Sequence, residues 1–266
     1  MATMPRRAAL VACLLTLTAA PVASARPVEF TAMTFNIASA VETDNDLGPL
    51  AGAIARARAG VVGLQEVDRS WSRSNSLDQA QDLAARLRMN WSFDPNFDCA
   101  ELDFDDDGFC QYGTAILSRY ALLASATRQY RLPVPSWDEP RGLAQVGVIV
   151  GGRRLTVFNT HLSTHVGPRL AEVRYILRVL ARVRGPLILL GDLNARPDAR
   201  EIRLLRARLT DAALAAHVTR PTGRSARIDY VFASRGIRVL SAFVPRTSGP
   251  PISDHRPLIA RLRIGR

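Results

Sequence analysis

The chain has 266 residues, 47% of them hydrophobic and 22% charged, which is ordinary for a globular protein. That length suits one large α/β domain or two small ones and excludes a miniature scaffold that needs cross-links to fold. The net charge is +11 and all 35 basic residues are arginine, a balance that favours polyanions such as nucleic acid or an anionic membrane surface. No basic run stands out, so the charge fits an ordinary solvated surface equally well.

The first residues read as a targeting segment. Arg6-Arg7 form a positive start, Ala8 to Ala20 an apolar stretch too short to span a bilayer, and Ala23-Ser24-Ala25 a small-x-small cleavage site. Cleavage there gives a mature start at Arg26 and an extracytoplasmic location; an uncleaved N-terminal anchor is the alternative. No other stretch is apolar for long enough to cross a membrane. No repeat or low-complexity linker divides residues 26–266, which are therefore expected to form one domain.

Along that domain, residues 29–36 read as a strand. Asp46 can cap a helix running to about Ala59, where Gly60 stops it. Residues 61–65 read as a short buried strand, and Ser76 with Gln79 as a capping box for a helix ending near Met89. Strands are expected around 91–93, 112–117, 143–150 and 155–159, the last two joined by a Gly151-Gly152 hairpin turn. Leu170, Val173, Ile176, Leu177 and Leu180 share one face of a helix over about 169–183. A strand at 187–190, a helix over 198–209 and strands at 228–232, 239–243 and 258–262 complete the pattern. Strands outnumber helices without strict alternation, which argues for α/β architecture with two packed sheets and helices outside, a four-layer sandwich.

Cys99 and Cys110 enclose a short loop, and in an exported protein that spacing suggests a local disulfide contributing about 3 kcal/mol. Within it, Asp103-x-Asp105-x-Asp107-Gly108 imitates the start of a calcium loop but lacks the closing Glu. The loop reads either as a calcium site or as a solvated acidic segment.

Polar residues recur just past the ends of apolar strands, where α/β folds collect ligand sites. These are Asn36, Glu66, His161, Asp192, Asn194, Asp229, Asp254 and His255. Each has a bland reading as a turn or cap residue, but so many placed this way are hard to explain as turns. Their types also suit one another. Glu66, Asp254 and the Asn36 amide oxygen form a hard oxygen set suited to Mg²⁺ or Mn²⁺ and poor for structural zinc. His161 and His255 can hydrogen-bond a phosphoryl oxygen or move a proton, and Asp229 can orient an imidazole. Arg141, in Glu139-Pro140-Arg141-Gly142, can meet a substrate phosphate or sit on the surface.

The segments MTFNI (33–37), LQEV (64–67), YGTAILSR (112–119), NTHL (159–162), GDLN (191–194), RIDYVF (227–232) and SDHRP (253–257) occur in the order seen in the endonuclease/exonuclease/phosphatase superfamily, which the chain resembles over about residues 28–263. The resemblance implies a DNase I-like fold and metal-dependent hydrolysis of a phosphate ester. By that resemblance Asn36 and Glu66 are metal ligands with Asp254 near the same ion. Asp192 positions or deprotonates the attacking water, Asn194 holds a phosphate oxygen, and His255, oriented by Asp229, stabilises the pentacovalent phosphorus. His161 resembles the second histidine of DNase-like members, although its acidic partner there has no counterpart in this sequence. Tyr112 is a phosphate contact or a packing tyrosine.

Two departures narrow the substrate. Ile37-Ala38 after Asn36 lacks the acidic residue of exonuclease III-like repair enzymes. No Trp precedes Gly191-Asp192, and Ile228-Asp229-Tyr230 replaces the Trp-Cys-Asp of inositol polyphosphate 5-phosphatases. Residues 66–87 resemble a bacterial branch of metal-dependent hydrolases, and are similar to the C-terminal domain of the calcofluor-white-hypersensitive proteins linked to lipid remodelling. The expectation is a secreted, monomeric phosphodiesterase whose substrate is a nucleic acid or a phospholipid head group. The competing reading is a non-catalytic surface-binding module on the same fold, which turnover lost in an Asp192 variant would exclude.

Overall fold

The computed structural model describes residues 26–98, 109–130, 138–246 and 249–265. The leader at 1–25, Cys99 and the acidic stretch 101–107 lie outside the described residues, so the signal, the disulfide pairing and the calcium reading fall there. Two six-stranded mixed sheets form the centre. In the first, β1 (Val28–Asn36) runs parallel to β2 (Val61–Arg69) and antiparallel to β12 (Leu258–Ile264). β3 (Asn90–Asp98) and β4 (Gln111–Ser118) extend the sheet beyond β2, and β11 (Ile237–Phe243) closes the other edge. The second sheet orders β5 (Leu122–Gln129), β6 (Gly142–Val150), β7 (Arg153–His161), β8 (Leu187–Asp192), β10 (Asp229–Ala233) and β9 (Thr210–Asp211), with only β7 and β8 parallel.

Alternation along β1 explains the layering. Phe30 and Ala32 point into the core between the sheets, where they meet Val146, Val157, Ile188, Leu190 and Leu262. Met33 and Phe35 point the other way, onto α1 (Gly48–Ala57) and α2 (Gln79–Leu87). On the far side, Phe158, Leu189 and Phe232 pack against α3 (Val166–Leu180) and α4 (Arg200–Arg206). The result is the expected α/β/β/α sandwich. No helix among the described residues is long and apolar enough to cross a membrane.

Gly151 and Gly152, with φ of 54° and 78°, make the two-residue β6–β7 turn, and Val150 pairs with Arg153 across it. Several boundaries differ from expectation. Asp78, not Ser76, caps α2, its carboxylate accepting from the Gln81 amide. Gln79 is buried and spends its side chain elsewhere, accepting from Asp68 N–H and donating to the Ser39 carbonyl. α3 begins at Val166, three residues before its expected start, and α4 is shorter than the expected 198–209 helix. β5, β9 and the four-residue α5 (Ala212–Ala215) were not anticipated.

A polar strut crosses the inter-sheet core. Asn159 of β7 donates to the carbonyls of Leu64 and Ala115 at 2.8 and 3.0 Å, and accepts from Gln65 Nε2 at 2.6 Å. Gly63 makes room for it, since a Cβ there would stand 2.6 Å from Asn159 Oδ1. The strut fixes the spacing between the strands that carry the site.

Candidate active site

The parallel pairs β1–β2 and β7–β8 end together, and their last residues converge: Asn36 pairs in register with Gln65, and His161 with Asp192. β10 enters antiparallel to β8, which sets Asp229 opposite Asp192. The segment before β12 brings in His255, whose backbone N–H donates to Ser253 Oγ; that hydroxyl donates in turn to the Asn36 carbonyl at 2.7 Å. Residues from both sheets therefore share one centre.

Glu66 reaches this centre through a bulge. Gln65 and Glu66 together oppose Thr114 where the β2–β4 register shifts, and Glu66 takes φ of 54°. An L-residue held in that region costs on the order of 1–3 kcal/mol, so the surrounding bonds must enforce it. One of them is from Asn36, whose Nδ2 donates to Glu66 Oε1 at 2.7 Å and to Asp192 Oδ2 at 3.1 Å. The Asn36 oxygen accepts from Ala38 N–H, so the amide turns its nitrogen toward both carboxylates. Burial raises the Glu66 pKa, and the negative charge of Asp254 raises it further.

Asp192 is fully enclosed. It accepts from the Asn194 backbone at 2.9 Å and lies 3.5 Å from His161 Nε2 and 3.6 Å from His255 Nε2. Burial, then the charge of Asp229, pushes its carboxyl up to about 7. Asp229 Oδ2 sits 2.9 Å from His255 Nδ1, while its Oδ1 is buried without a protein partner. Burial works against a charged His255, but the Asp229 hydrogen bond and the charges of Asp229, Asp192 and Asp254 outweigh it and raise the imidazole to about 9. At neutral pH His255 is an imidazolium with its Nδ1–H donated to Asp229. The Asp229 backbone is itself anchored, its N–H donating to Thr222 Oγ1.

His161 behaves differently. Arg141 Nη1 lies 2.9 Å from its Nδ1 and Asn194 Nδ2 3.0 Å from its Nε2, so both ring nitrogens face side-chain N–H donors. Burial, then the positive charges of Arg141 and His255, holds this histidine neutral, well below 6.5. The missing acidic partner is thus replaced by a buried arginine, which also pairs with Glu139 at 2.9 Å. Asn194, with φ of 47°, places Nδ2 at 3.0 Å from His161 Nε2 and donates to the Leu162 carbonyl.

Two expected residues stand apart from this knot. Asp254 is exposed on its rim, and Tyr112 belongs to an aromatic cluster with Trp71 and Phe97. Burial keeps the Tyr112 phenol neutral, well above its usual range. Cys110 is buried in the same cluster. Residues outside the expected set prove structural supports of the site. Ser39 Oγ lies 3.1 Å from the buried Asp68, and Arg73 binds Asp68 through Nε and Nη2 at 2.8 and 2.7 Å. Nothing in the local sequence pattern marks them. Thr222 and Ser253 also escape, although Ser253 opens the SDHRP segment.

Ligand atoms of Glu66, His161 and Asp192 lie within 4.8 Å of one another, as do those of Asp192, Asp229 and His255. The second group is already paired internally by hydrogen bonds. At the edge of the site the half-buried Glu66 carboxylate and the exposed Asp254 bring two acids close to one another, a hard oxygen pair that suits a divalent cation.

A sequence model of the Endonuclease/Exonuclease/phosphatase family matches residues 33–255. No curated protein sequence matches the chain. Among solved structures, an endonuclease/exonuclease/phosphatase from Beutenbergia cavernae is 26% identical with a TM-score of 0.73, over 90% of this chain and 72% of that one. The human Nocturnin catalytic domain with bound sulfate is 21% identical, TM-score 0.68, covering 88% of this chain and 93% of its own. A mannosyl-6-phosphatase from Bacteroides thetaiotaomicron is 17% identical, TM-score 0.66, covering 88% and 99%. With the match spanning both sheets and every residue of the central knot, the chain belongs to the endonuclease/exonuclease/phosphatase family, whose members hydrolyse phosphate esters.

Proposed function

We propose that this protein is a divalent-metal-dependent phosphodiesterase, exported from the cytoplasm, acting on a nucleic acid or a phospholipid head group. The observation that carries the reading is the meeting of one near-neutral carboxyl, Asp192, with one charged and one neutral imidazole, His255 and His161. A group titrating near the working pH is suited to take a proton from water. Asp192 would remove that proton, the water oxygen would bond to phosphorus, and the phosphorus–oxygen ester bond would break, with the departing oxygen reprotonated by solvent. The His255 imidazolium would place positive charge beside the phosphoryl oxygens, locked in orientation by Asp229.

His161, held neutral by burial and by the charges of Arg141 and His255, would hydrogen-bond a phosphate oxygen without adding positive charge. Glu66 and Asp254 would hold Mg²⁺ or Mn²⁺, with Asn36 joining them if its amide turns over. The ion would supply positive charge where the phosphate oxygens become more negative. The human Nocturnin catalytic domain, on the same fold, carries a bound sulfate, which agrees with a tetrahedral oxyanion as ligand.

Hydrolysis of bis-p-nitrophenyl phosphate with Mg²⁺, Mn²⁺, Ca²⁺ or EDTA, alongside Asp192→Ala, tests the reading. The expected result is metal-dependent turnover that the substitution removes. A folded protein silent with every metal, or an Asp192→Ala variant as active as wild type, would refute it.

A further inference from the structure

The basic charge of the chain gathers in space without forming a run in sequence. Between Glu139 and Asp192 stand eight arginines and one acid, Glu172, which is buried. Residues 119–130, which supply β5, carry no acid. β5, β6, β7 and the end of α3 are thus drawn from the part of the chain poorest in carboxylates.

These elements enclose a groove of about 470 Å³ on the outer face of the second sheet. Alternation puts it there. Val146, Val148, Leu155 and Val157 point into the core between the sheets, so Gln145, Gly147, Ile149, Arg154 and Thr156 point away from it. Buried Thr156 and half-buried Gln145 lie in the groove, with Arg128, Arg154, Arg182 and Arg184 around them. No carboxylate lines it, and among the described residues none of the four arginines pairs with an acid. Arg128 donates to Gln145 Oε1 at 2.6 Å, a neutral acceptor that leaves its charge uncompensated. By contrast, Arg169 and Arg227 elsewhere are matched by Glu201 and Asp211 at 3.0 and 2.7 Å.

Two aliphatic side chains share this face. Leu123 of β5 stands over Gly147, where an added Cβ would meet it at 3.4 Å and Arg154 Nη2 at 3.6 Å. Ile149 pairs in register with Arg154, so both project from the same side of the sheet. Leu123 is 47% and Ile149 36% exposed, which leaves apolar surface in water beside the four charges.

That combination selects the partner. An anionic phospholipid surface offers phosphates to the guanidiniums and an acyl boundary to Leu123 and Ile149. A nucleic acid would satisfy the arginines alone, since it offers bases for stacking and no aromatic ring lines the groove.

We infer that this face docks the protein on an anionic phospholipid membrane. It stands apart from the reactive centre: Arg154 lies at the start of β7 and His161 at its end, seven residues or about 23 Å along the strand. Docking is therefore separate from turnover, and the inference does not rest on the phosphodiesterase reading.

Co-sedimentation of the exported protein with vesicles tests it. Partitioning onto mixed phosphatidylglycerol and phosphatidylcholine should exceed that onto phosphatidylcholine alone by roughly 100-fold or more at about 0.1 M salt, and weaken as salt is raised. Each arginine at such a surface contributes about fivefold, so Arg182→Gln with Arg184→Gln should lower the partition coefficient about 25-fold. Leu123→Thr with Ile149→Thr should lower it about fivefold and leave its salt dependence unchanged. Arg56→Gln with Arg238→Gln removes the same charge from exposed positions around the first sheet, and should change it less than about threefold. All three pairs of substitutions lie on the surface and should leave the melting midpoint unchanged. Equal partitioning onto neutral and anionic vesicles, or equal losses from the two arginine pairs, would overturn the inference. Retention of duplex DNA through Arg182 and Arg184, by a protein that ignores both kinds of vesicle, would give the groove to nucleic acid and overturn it as well.

Discussion

Asp229→Asn isolates the source of the charge on His255. The carboxylate sits 2.9 Å from His255 Nδ1, and its second oxygen has no protein partner, so the imidazolium is its principal counter-charge. Raising an imidazole from 6.5 to about 9 corresponds to about 3 kcal/mol of preference for the charged ring. Without the Asp229 carboxylate, burial is opposed only by the charges of Asp192 and Asp254, and the ring should titrate near its ordinary value. At pH 8 the charged fraction would then fall from about nine-tenths to about 3%, a factor of about 30 in kcat/KM before any loss of orientation. The wild-type profile should rise through about pH 7 as Asp192 ionises and fall near 9 as His255 deprotonates. In the variant the alkaline limb should move at least 2 pH units toward acid (about 2 is the minimum expected from the ring's release). The assay is kcat/KM for bis-p-nitrophenyl phosphate from pH 5.5 to 10, paired with an NMR titration of the histidine ring protons. Stability gives an independent check of sign. A histidine whose folded pKa is raised stabilises fully below its unfolded value, and loses that contribution as pH climbs through the folded one. Wild type should therefore lose stability between about pH 6.5 and 9, and the variant should not. An alkaline limb that stays where it was in Asp229→Asn would refute this account of His255.

Glu66→Gln should abolish metal-dependent turnover yet raise the melting midpoint in EDTA by about 2–4 °C, because it removes a half-buried acid whose folded pKa is raised and whose cost appears as pH rises. Added Mg²⁺ should then stabilise wild type and not the variant; equal stabilisation of both would exclude Glu66 as a ligand. Asn159→Leu removes a partner from the Gln65 Nε2 group and from two carbonyls in the core, and should cost about 2–4 kcal/mol by urea denaturation. A loss under about 1 kcal/mol would show that the strut is not structural. N-terminal sequencing of the exported protein should begin at Arg26, and recovery of an intact Met1 would remove the cleaved-signal reading.

The central strands and the polar residues at their ends were legible because both obey simple patterns. A buried strand such as 187–192 is an apolar run, and a ligand at its tip interrupts that run visibly. β5 was not legible, since LLASATRQ lies on a sheet edge with mostly exposed residues and shows no apolar alternation. Arg141 read equally well as a surface residue; only the fold reveals that it is buried against His161 and helps hold that ring neutral. Gln79 looked like half of a capping box because its spacing from Ser76 is right. Its amide is instead committed to the Ser39 turn and β2, contacts 40 and 11 residues away in sequence. Local pattern detects periodicity, and these long-range polar contacts have none.

The reactive centre is assembled across a seam, with Asn36 and Glu66 on one sheet and His161, Asp192 and Asp229 on the other. Its inner dimensions are therefore a property of how two slabs are docked, measured at their edge. A slip of the slabs by a fraction of a hydrogen-bond length would separate Asn36 from Asp192 while leaving every strand intact. Catalysis in such a molecule is a more sensitive gauge of the seam than any probe of secondary structure, and it should fade on warming or in denaturant before either sheet comes apart.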